Sequence, residues 1–262
     1  MEIHKLALMP KSHLVDLSHP WSVELWPFIG LPSPIVTDIM RIPAQRDLVR
    51  QVTTNMHVGT HLDAPLHFAP TAGDMASITL DRLYHEGVIV DVSDKVKDWD
   101  ILYPEHITDK VKVKEGDILL IHSGWHHYYW GERQQNEEKY FCYHPGPDAA
   151  MAKWMKKKKL RWFGIDAGSA DHPMNTAAVR KNRPDLIKKF ERKMGRRADE
   201  IFPDDNFYLM HTMLFPHKII HAENVGGDLD KVLNKRCVIG AFPWKFIGGD
   251  GSICRIIAFL DK

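Results

Sequence analysis

Hydrophobic residues along this chain gather in short runs that are rich in Val and Ile and bounded by Gly, Asp or Pro. Runs of this kind are typical of strands. They predict six strands, at residues 87–93, 117–123, 161–166, 218–223, 236–242 and 253–260. The last two flank the segment 248-GGDG-251, and they could pair across it as a hairpin.

Two other segments carry apolar residues at the spacing of an amphipathic helix. Residues 147–160 and 184–194 both begin with a Pro-Asp pair, which suits a helix N-terminus, and the first ends in lysines, which suit a C-terminus. Gly195 should end the second helix. Residues 77–85 are a candidate for a short third helix. Many strands and few helices predict a mixed α/β (α+β) architecture.

The bulk composition is that of an ordinary globular protein. The 262 residues are 44% hydrophobic and 26% charged. No internal repeat, low-complexity tract or linker divides the sequence, so we expect one domain over residues 1–262, with residues 1–13 as an extended arm. Three cysteines without a C-x-x-C pair argue against a disulfide scaffold and against a cysteine-rich zinc site.

Charge and hydropathy give no sign of a nucleic-acid or membrane partner. The net charge is +1, the N-terminus has no apolar run long enough for a secretory signal, and no apolar stretch reaches the length of about 18 residues typical of a membrane span. We therefore expect a soluble cytoplasmic protein. Lys156–Lys159 and the basic segment 180–197 are interpreted as solvated surface, although 180–197 could instead attract an anionic substrate.

One segment, 57-HVGTHLDAPLH-67, concentrates the candidate chemistry. It carries three imidazoles and one carboxylate, which are usual ligands for Zn²⁺, Mn²⁺ or Fe²⁺. At about 3.3 Å per residue, a straight strand would hold His57 and His61 about 13 Å apart, and a straight helix would turn Asp63 away from both. The segment must therefore bend. We expect a tight, buried turn leading out of a strand, with Gly59 leaving room for the ion.

The residue types in this segment suggest separate roles. We expect His57, His61 and Asp63 to bind the metal directly. His67 is either a fourth ligand or a proton carrier that stands just off the metal. The pattern H-x-G-T-H-x-D-x-P-x-H resembles the signature of the cyclase family of metal-dependent hydrolases, which includes kynurenine formamidase and isatin hydrolase.

The resemblance extends from about residue 14 to 260. It includes the segments 15-VDLSHPW-21, 117-DILLIHSGW-125 and 162-WFGIDAGSADHP-173. His211 and Glu223 match a later His and Glu of the formamidase branch, where they help to hold a second metal and the motif aspartate bridges the two ions. The isatin branch lacks that glutamate and holds one Mn²⁺, so Glu223 favours two ions. The segment between Asp171 and His211 is closer to the longer members, so the branch does not assign a substrate.

The resemblance also carries expectations about fold and partners. It implies a swivelling β/β/α fold around a mixed, partly barrel-like sheet with a few flanking helices. The cofactor would be one or two divalent ions, Zn²⁺ or Mn²⁺. The partners would be a small-molecule substrate, with aromatic amides as one candidate class, and further copies of the chain in a homodimer or higher homo-oligomer.

Further polar and aromatic residues allow two interpretations each. One polar group follows a predicted strand and comprises Asp166, Ser169, Asp171 and His172. It is either a turn that bonds its own backbone, or a shell that orients metal ligands and walls the pocket. Trp26 and Phe28 in 21-WSVELWPFIG-30 are either core residues or the wall of an aromatic-sized pocket. We interpret His217 and His221 as lying outside the site.

These residues favour a metal-dependent hydrolase that acts on non-peptide C–N bonds of a small amide or lactam, with a lactone as a further candidate. A metal-activated water would attack the carbonyl, and His67 would act as general acid/base. No G-x-S-x-G suggests a serine nucleophile. An alternative is a metal-dependent lyase or cyclase acting on an enolisable carbonyl, because the same residues would serve it. A non-catalytic metal protein would need a closed coordination sphere.

Overall fold

The computed structural model describes residues 13–203 and 205–260. Within them, the strands are β1 His13–Asp16, β2 Ile35–Met40, β3 Val49–Thr53, β4 His61–Asp63, β5 Tyr84–Asp91, β6 Ile101–Leu102, β7 Ile118–His122, β8 Gly146–Pro147, β9 Trp162–Ile165, β10 Ile220–Glu223, β11 Lys235–Pro243 and β12 Gly251–Leu260. The α-helices of the same residues are α1 Ile42–Gln45, α2 Leu80–Leu83, α3 Pro104–Thr108, α4 Glu137–Cys142, α5 Ala149–Lys157, α6 Ala177–Asn182, α7 Pro184–Met194, α8 Ala198–Ile201 and α9 Leu209–Leu214.

Seven of these strands close into a barrel-like sheet. Their order is β12–β11–β5–β7–β9–β10–β4, and β4 pairs back onto β12. Strands β5, β7, β9 and β10 form a parallel part, and the other pairings are antiparallel. Of the predicted arm, His13 begins β1, which pairs with β12, whereas residues 1–12 lie outside the described residues. The mixed α/β class and the partly barrel-like mixed sheet are confirmed.

The six predicted strands are confirmed with small shifts at their ends. β11 and β12 pair across the 248–251 segment as expected. The helix predicted at 77–85 is only partly correct, because α2 ends at Leu83 and the chain from Tyr84 onward pairs with β11 as part of β5. Strand pairing therefore overrides the local helical pattern at this point.

The two longer helices follow their capping signals. α7 has the predicted bounds and ends at Gly195, whose φ of +64° is the left-handed conformation typical of a helix end. α5 begins at Ala149, later than predicted, because the Asp148 side chain accepts hydrogen bonds from two first-turn N–H groups and so acts as the N-cap. No helix within residues 13–203 and 205–260 combines the length and apolar character needed to cross a membrane.

Strand residues alternate between two apolar cores. In β7, Ile118 and Leu120 pack inside the barrel, while Leu119 and Ile121 pack outside it. The other barrel strands also contribute to the inner core, through Leu62, Ile89, Trp162, Ile220, Ile239 and Ile256. The outer core fills the space between the sheet and helices α5, α6, α7 and α9. A side chain that points outward from the barrel can therefore meet residues of these helices.

Candidate metal centre and substrate cleft

Four polar side chains share the outer face of β4 and β10. The middle residue of β4 and the alanine opposite it belong to the inner core, so their neighbours along each strand point outward. The antiparallel register sets His221 opposite Asp63 and Glu223 opposite His61. All four side chains are buried. Strand alternation and pairing thus gather two imidazoles and two carboxylates on one face.

His57 joins these residues through a bend at residues 56–60. Its Nδ1 lies 2.8 Å from Asp63 Oδ1, and its ring meets that of His61 edge-on, with 5.3 Å between centroids. The expectation that the motif bends is confirmed, and Gly59 supplies the positive φ of +69°. The bend leads into the short strand β4, and a 3₁₀ turn at Pro65–His67 follows that strand.

Gly251, rather than Gly59, leaves space at this point. A Cβ on Gly59 would meet apolar side-chain carbons at 3.1 and 3.2 Å, on the side of the outer core. A Cβ on Gly251 would lie 2.9 Å from His57 Cε1 and 3.4 Å from Asp63 Oδ1. The expectation that Gly59 makes room for an ion is therefore wrong, because the close approach comes from β12, which pairs with β4 through Gly251 and Asp63.

His211 reaches the same place from α9 and is aligned by Asp171. Its Nδ1–H donates to Asp171 Oδ2 at 2.5 Å, and the backbone N–H of Met210 donates to Asp171 Oδ1 at 2.6 Å. The other ring nitrogen, Nε2, lies 3.6 Å from Asp63 Oδ2. Asp171 thus orients His211, which is one of the two roles considered for its polar segment.

The other polar residues of that segment differ in role. Ser169 lines the cleft described below. Asp166 is fully buried and accepts hydrogen bonds from three consecutive backbone N–H groups after β7. His172 is also buried, and its Nε2 lies 3.0 Å from a backbone carbonyl oxygen. The backbone N–H of Ala170 donates to Glu223 Oε1 at 2.7 Å, so the segment fixes this carboxylate as well.

His221 lies among these residues, and the expectation that it stands outside the site is wrong. Its Nε2 lies 3.0 Å from Asp63 Oδ2 and 3.2 Å from His211 Nε2. Ligand atoms of Asp63, His211, His221 and Glu223 all lie within 4.8 Å of one another. His217, by contrast, is exposed. The role of His221 follows from the pairing of β10 with β4, which the spacing of residues in the sequence does not reveal.

Six residues therefore converge, and we call them the Asp63 group: His57, His61, Asp63, His211, His221 and Glu223. Asp63 Oδ1 lies 2.8 and 3.3 Å from ring nitrogens of His57 and His61. Asp63 Oδ2 lies 3.0 and 3.6 Å from ring nitrogens of the two later histidines. Glu223 is similar, with Oε2 3.5 Å from His61 Nε2 and Oε1 3.9 Å from both later histidines. Each carboxylate thus offers one oxygen to each side, as two adjacent cations would require.

Two buried ligand atoms of this group lack hydrogen-bond partners. His61 Nδ1–H donates to the carbonyl oxygen of Gly59 at 2.8 Å, so its Nε2 carries the lone pair. His61 Nε2 and Asp63 Oδ2 are buried, and neither has a hydrogen-bond partner among the described residues. Such atoms are costly, and imidazole nitrogen and carboxylate oxygen are both ligands that Zn²⁺ and Mn²⁺ accept. The residues therefore fit a divalent cation.

The pKa values in the group reflect the carboxylates within it and next to it. Burial would lower the pKa of His57, but Asp63 and Asp250 outweigh it and raise that pKa to about 10. Burial would likewise lower the pKa of His211, but Asp171 and other carboxylates raise it to about 10. Burial opposes ionisation of Asp63, yet the surrounding imidazoles hold its pKa well below its usual range. Protons on His57 and His211 thus compensate nearby carboxylates, and a bound divalent cation would displace them.

His67 lies at the edge of the group, where ligand atoms of His57, Asp63 and His67 all lie within 4.8 Å of one another, so it is placed either to bind an ion or to carry a proton beside it. It ends the short 3₁₀ turn Pro65–His67, its ring stacks on that of His57 with 4.1 Å between centroids, and its side chain is 28% exposed. Its Nδ1 lies 3.7 Å from Asp250 Oδ2, which in turn lies 2.9 Å from His57 Nε2. Asp250 was not among the predicted site residues, and its one signal in the sequence is a carboxylate in the glycine-rich hairpin loop. An imidazole in this position can carry a proton between a ligand site and solvent.

A cleft of about 590 Å³ opens onto the Asp63 group and His67. Its apolar walls include Phe28, Ile29, Leu31, Phe68 and Tyr208. Ser169 and Lys181 add polar groups. Of the two N-terminal aromatic residues considered, Phe28 lines the cleft, whereas Trp26 packs edge-on against Tyr129 next to the outer core.

Two relatives align in sequence with this chain along most of its length. The kynurenine formamidase of Bacillus cytotoxicus is 25% identical over 259 residues, which are 95% of this chain and 98% of that protein. The kynurenine formamidase of Erythrobacter litoralis is 25% identical over 212 residues, which are 80% of this chain and 76% of that protein.

Solved structures share the fold. Isatin hydrolase A from Labrenzia aggregata superposes with a TM-score of 0.73 at 20% identity, covering 96% of this chain and 94% of that one. An isatin hydrolase bound to the product analogue thioisatinate gives 0.75 at 18% identity, covering 96% and 93%. A family model described as a putative cyclase matches residues 15–172, which is more than half of the sequence. The resemblance to the cyclase family is thereby confirmed, and the chain belongs to that family.

Proposed function

We propose that this protein is an enzyme that hydrolyses a non-peptide C–N bond in a small aromatic amide or cyclic amide. The observation that carries the proposal is the Asp63 group itself. Two of its buried ligand atoms lack hydrogen-bond partners in the part of the chain that the structure describes, and the group lies at a cleft with aromatic walls. The relatives named kynurenine formamidase and isatin hydrolase support hydrolysis of an amide.

The Asp63 group would hold one or two divalent ions, Zn²⁺ or Mn²⁺. His57, His61 and Asp63 would hold the first ion. Asp63, His211 and Glu223 would hold the second, with His221 as a further ligand. The split of each carboxylate between the two sides of the group supports two ions. Bound ions would acidify a water and polarise the substrate carbonyl, which is the usual contribution of metals to amide hydrolysis.

The side chains around the group would do the remaining work. His67 would take a proton from the attacking water and return it to the leaving nitrogen, and its partial exposure gives it access to the cleft. The carboxylate of Asp250, 3.7 Å from His67 Nδ1, would orient this ring. Asp171 and the N–H of Ala170 hold His211 and Glu223 in place beforehand, so the ligands need little rearrangement.

The walls of the cleft suggest the class of substrate. Phe28, Phe68 and Tyr208 offer flat apolar faces that suit an aromatic ring. Lys181 also lines the cleft and is exposed, so an anionic group on the substrate could lie near its ammonium. We therefore propose an aromatic amide that carries a negative charge as the preferred class.

The test is hydrolysis by the full chain after loading with Zn²⁺ or with Mn²⁺. N-formylkynurenine, isatin and simple lactones are assayed, and elemental analysis counts the ions in each chain. Reaction in ¹⁸O-labelled water should leave labelled oxygen in the product. A product without label would favour the lyase or cyclase alternative. A metal-replete protein that is inert towards every amide and lactam tested would refute the proposal.

We also propose that the protein forms a homodimer or a higher homo-oligomer. Within the described chain, the hairpin of β2 and β3 pairs with no other strand. The hairpin and the short helix within it expose several large apolar side chains: Ile35, Ile39, Met40, Ile42, Leu48, Val49 and Val52. A lone hairpin is only marginally stable, and exposed apolar surface is typical of an interface. Light scattering of the unmodified protein should give at least the mass of a dimer. The double variant Ile35→Lys, Ile42→Lys should give a lower mass. A monomeric unmodified protein would contradict the proposal.

A further inference from the structure

A second group of imidazoles lies at the end of β7. His122 is the last residue of that strand, and His126 and His127 lie in the 3₁₀ turn that follows it. Asp230 reaches them from a 3₁₀ turn shortly before β11. Ligand atoms of these four residues all lie within 4.8 Å of one another, and none of the four belongs to the Asp63 group. We call them the Asp230 group.

Three ring nitrogens of this group converge on one carboxylate. The Nε2 atoms of His122, His126 and His127 lie 3.2, 3.6 and 3.4 Å from oxygens of Asp230. A tetrahedral Zn²⁺ site with bonds of about 2.0–2.1 Å holds its ligand atoms about 3.3–3.4 Å apart. The 3.6 and 3.4 Å distances of His126 and His127 both run to Oδ2 and lie close to the edge length of such a tetrahedron, and the 3.2 Å distance of His122 runs to Oδ1 of the same carboxylate.

Further carboxylates orient two of these rings from behind. His122 Nδ1 lies 2.9 Å from Asp91 Oδ1, and His126 Nδ1 lies 3.2 Å from Asp166 Oδ2. An ionised carboxylate only accepts hydrogen bonds, so each Nδ1 carries a proton and, in the neutral ring, each Nε2 carries a lone pair. A carboxylate behind a histidine is the usual companion of a metal-ligating imidazole.

The environment of His122 points independently to a ligand. Its side chain is 5% exposed, and its Nε2 has no hydrogen-bond partner within residues 13–203 and 205–260. This lone pair faces an oxygen of Asp230, so two hydrogen-bond acceptors repel each other. A second proton on each of the three rings would remove this repulsion, but it would bring positive charges close together, because the ring centroids of His126 and His127 are only 3.9 Å apart. One divalent cation would satisfy all four ligands.

We propose that the Asp230 group is a structural metal site that takes a Zn²⁺-type cation. Three imidazoles and one carboxylate suit Zn²⁺ and its spectroscopic substitute Co²⁺. The protein supplies all four positions of a tetrahedron, so the site is closed and joins the turn after β7 to the turn before β11. The Asp230 side chain is 50% exposed, which gives an ion access from solvent.

The test uses the full chain with the Asp63 group disabled by His61→Ala and His211→Ala. Any tightly held ion can then be assigned to the Asp230 group. Metal-free protein is titrated with Zn²⁺, elemental analysis after dialysis counts the ions, and calorimetry measures Tm. We expect about one Zn²⁺ per chain and a rise in Tm. Asp230→Asn in this background should abolish both, whereas the matched exposed variant Asp228→Asn should abolish neither.

A second variant and a second readout guard against misfolding. The His127 side chain is 39% exposed, so His127→Ala should fold and should weaken Zn²⁺ binding by at least about 10-fold. Co²⁺ bound to the unmodified group should show the intense visible absorption of a tetrahedral ion, and this band should disappear in His127→Ala. Failure of the disabled protein to retain Zn²⁺, or retention that Asp230→Asn leaves unchanged, would overturn the proposal.

Discussion

The Asp63 group and the Asp230 group both set imidazole nitrogens around a carboxylate, yet they differ in what surrounds them. The Asp63 side chain is 1% exposed and shares its imidazoles with a second carboxylate, whereas the Asp230 side chain is 50% exposed and is the only carboxylate among its four ligands. Within the described chain, the cleft with aromatic walls touches the first group and not the second. Ligand geometry alone can hold a cation, but catalysis also needs an open side, a substrate wall and a proton carrier such as His67.

Removing the metal from each group separately should give the largest difference in activity. His61→Ala removes an imidazole that faces both carboxylates of its group, so we expect kcat/KM to fall by at least about 10⁴-fold together with loss of bound metal. Asp230→Asn should leave kcat/KM within about twofold while one ion is lost. Steady-state assays with elemental analysis test both. A folded Asp230→Asn protein without activity would break the comparison.

His67→Ala should separate proton transfer from metal binding. The ring stacks on His57 at the edge of the converging ligands, and if it carries a proton rather than binding an ion, its loss should leave the metal content unchanged. Loss of a general acid/base should lower kcat by about 10²–10⁴-fold. His217→Ala, at an exposed histidine, is the matched control and should have no effect. Full activity would exclude the proton-carrier role, and loss of metal would instead make His67 a ligand.

Features with a local signal were predictable from the sequence. β7 is a continuous run of buried apolar residues, and α7 combines an apolar stripe with a glycine stop. The motif from His57 to His67 is equally local, since its ligand types are neighbours in the chain. In contrast, β4 has three residues, two of them polar, which is too short for a hydrophobic pattern to identify it.

Features that depend on strand pairing were not predictable. His221 joins the site because β10 pairs with β4, and Asp250 approaches His57 across 193 residues because β12 closes the barrel. Gly251 is part of the same closure. The Asp230 group has a similar origin, since it assembles only when the turn before β11 packs against the end of β7. None of these contacts has a fixed spacing that a single sequence could reveal.

The carboxylates behind the histidines should act on their own group only. Asp171 holds His211, and Asp91 holds His122, in each case through the Nδ1–H. Asp171→Asn should weaken metal binding at the Asp63 group by about 10–100-fold, and Asp91→Asn should do the same at the Asp230 group. Competition with a chromophoric chelator measures both affinities, and Tm of the metal-free proteins controls for misfolding. Equal weakening at both groups by either variant would show that the groups are not independent.

The smallest effects are expected from two glycine substitutions. Gly251→Ala tests the need for space beside the ligands, and Gly59→Ala tests the need for a positive φ in the bend. In Gly251→Ala the new Cβ would lie 2.9 Å from His57 Cε1, so the ring must shift, and we expect roughly 10-fold weaker metal binding with little change in Tm. In Gly59→Ala the φ of +69° strains an L-residue, so the free energy of unfolding should fall by about 1–2 kcal/mol while kcat/KM per folded molecule persists. Calorimetry and metal titration on both variants test this pair. The opposite pattern would mean that the bend of the motif, rather than its contact with β12, determines where the ligands of the Asp63 group lie.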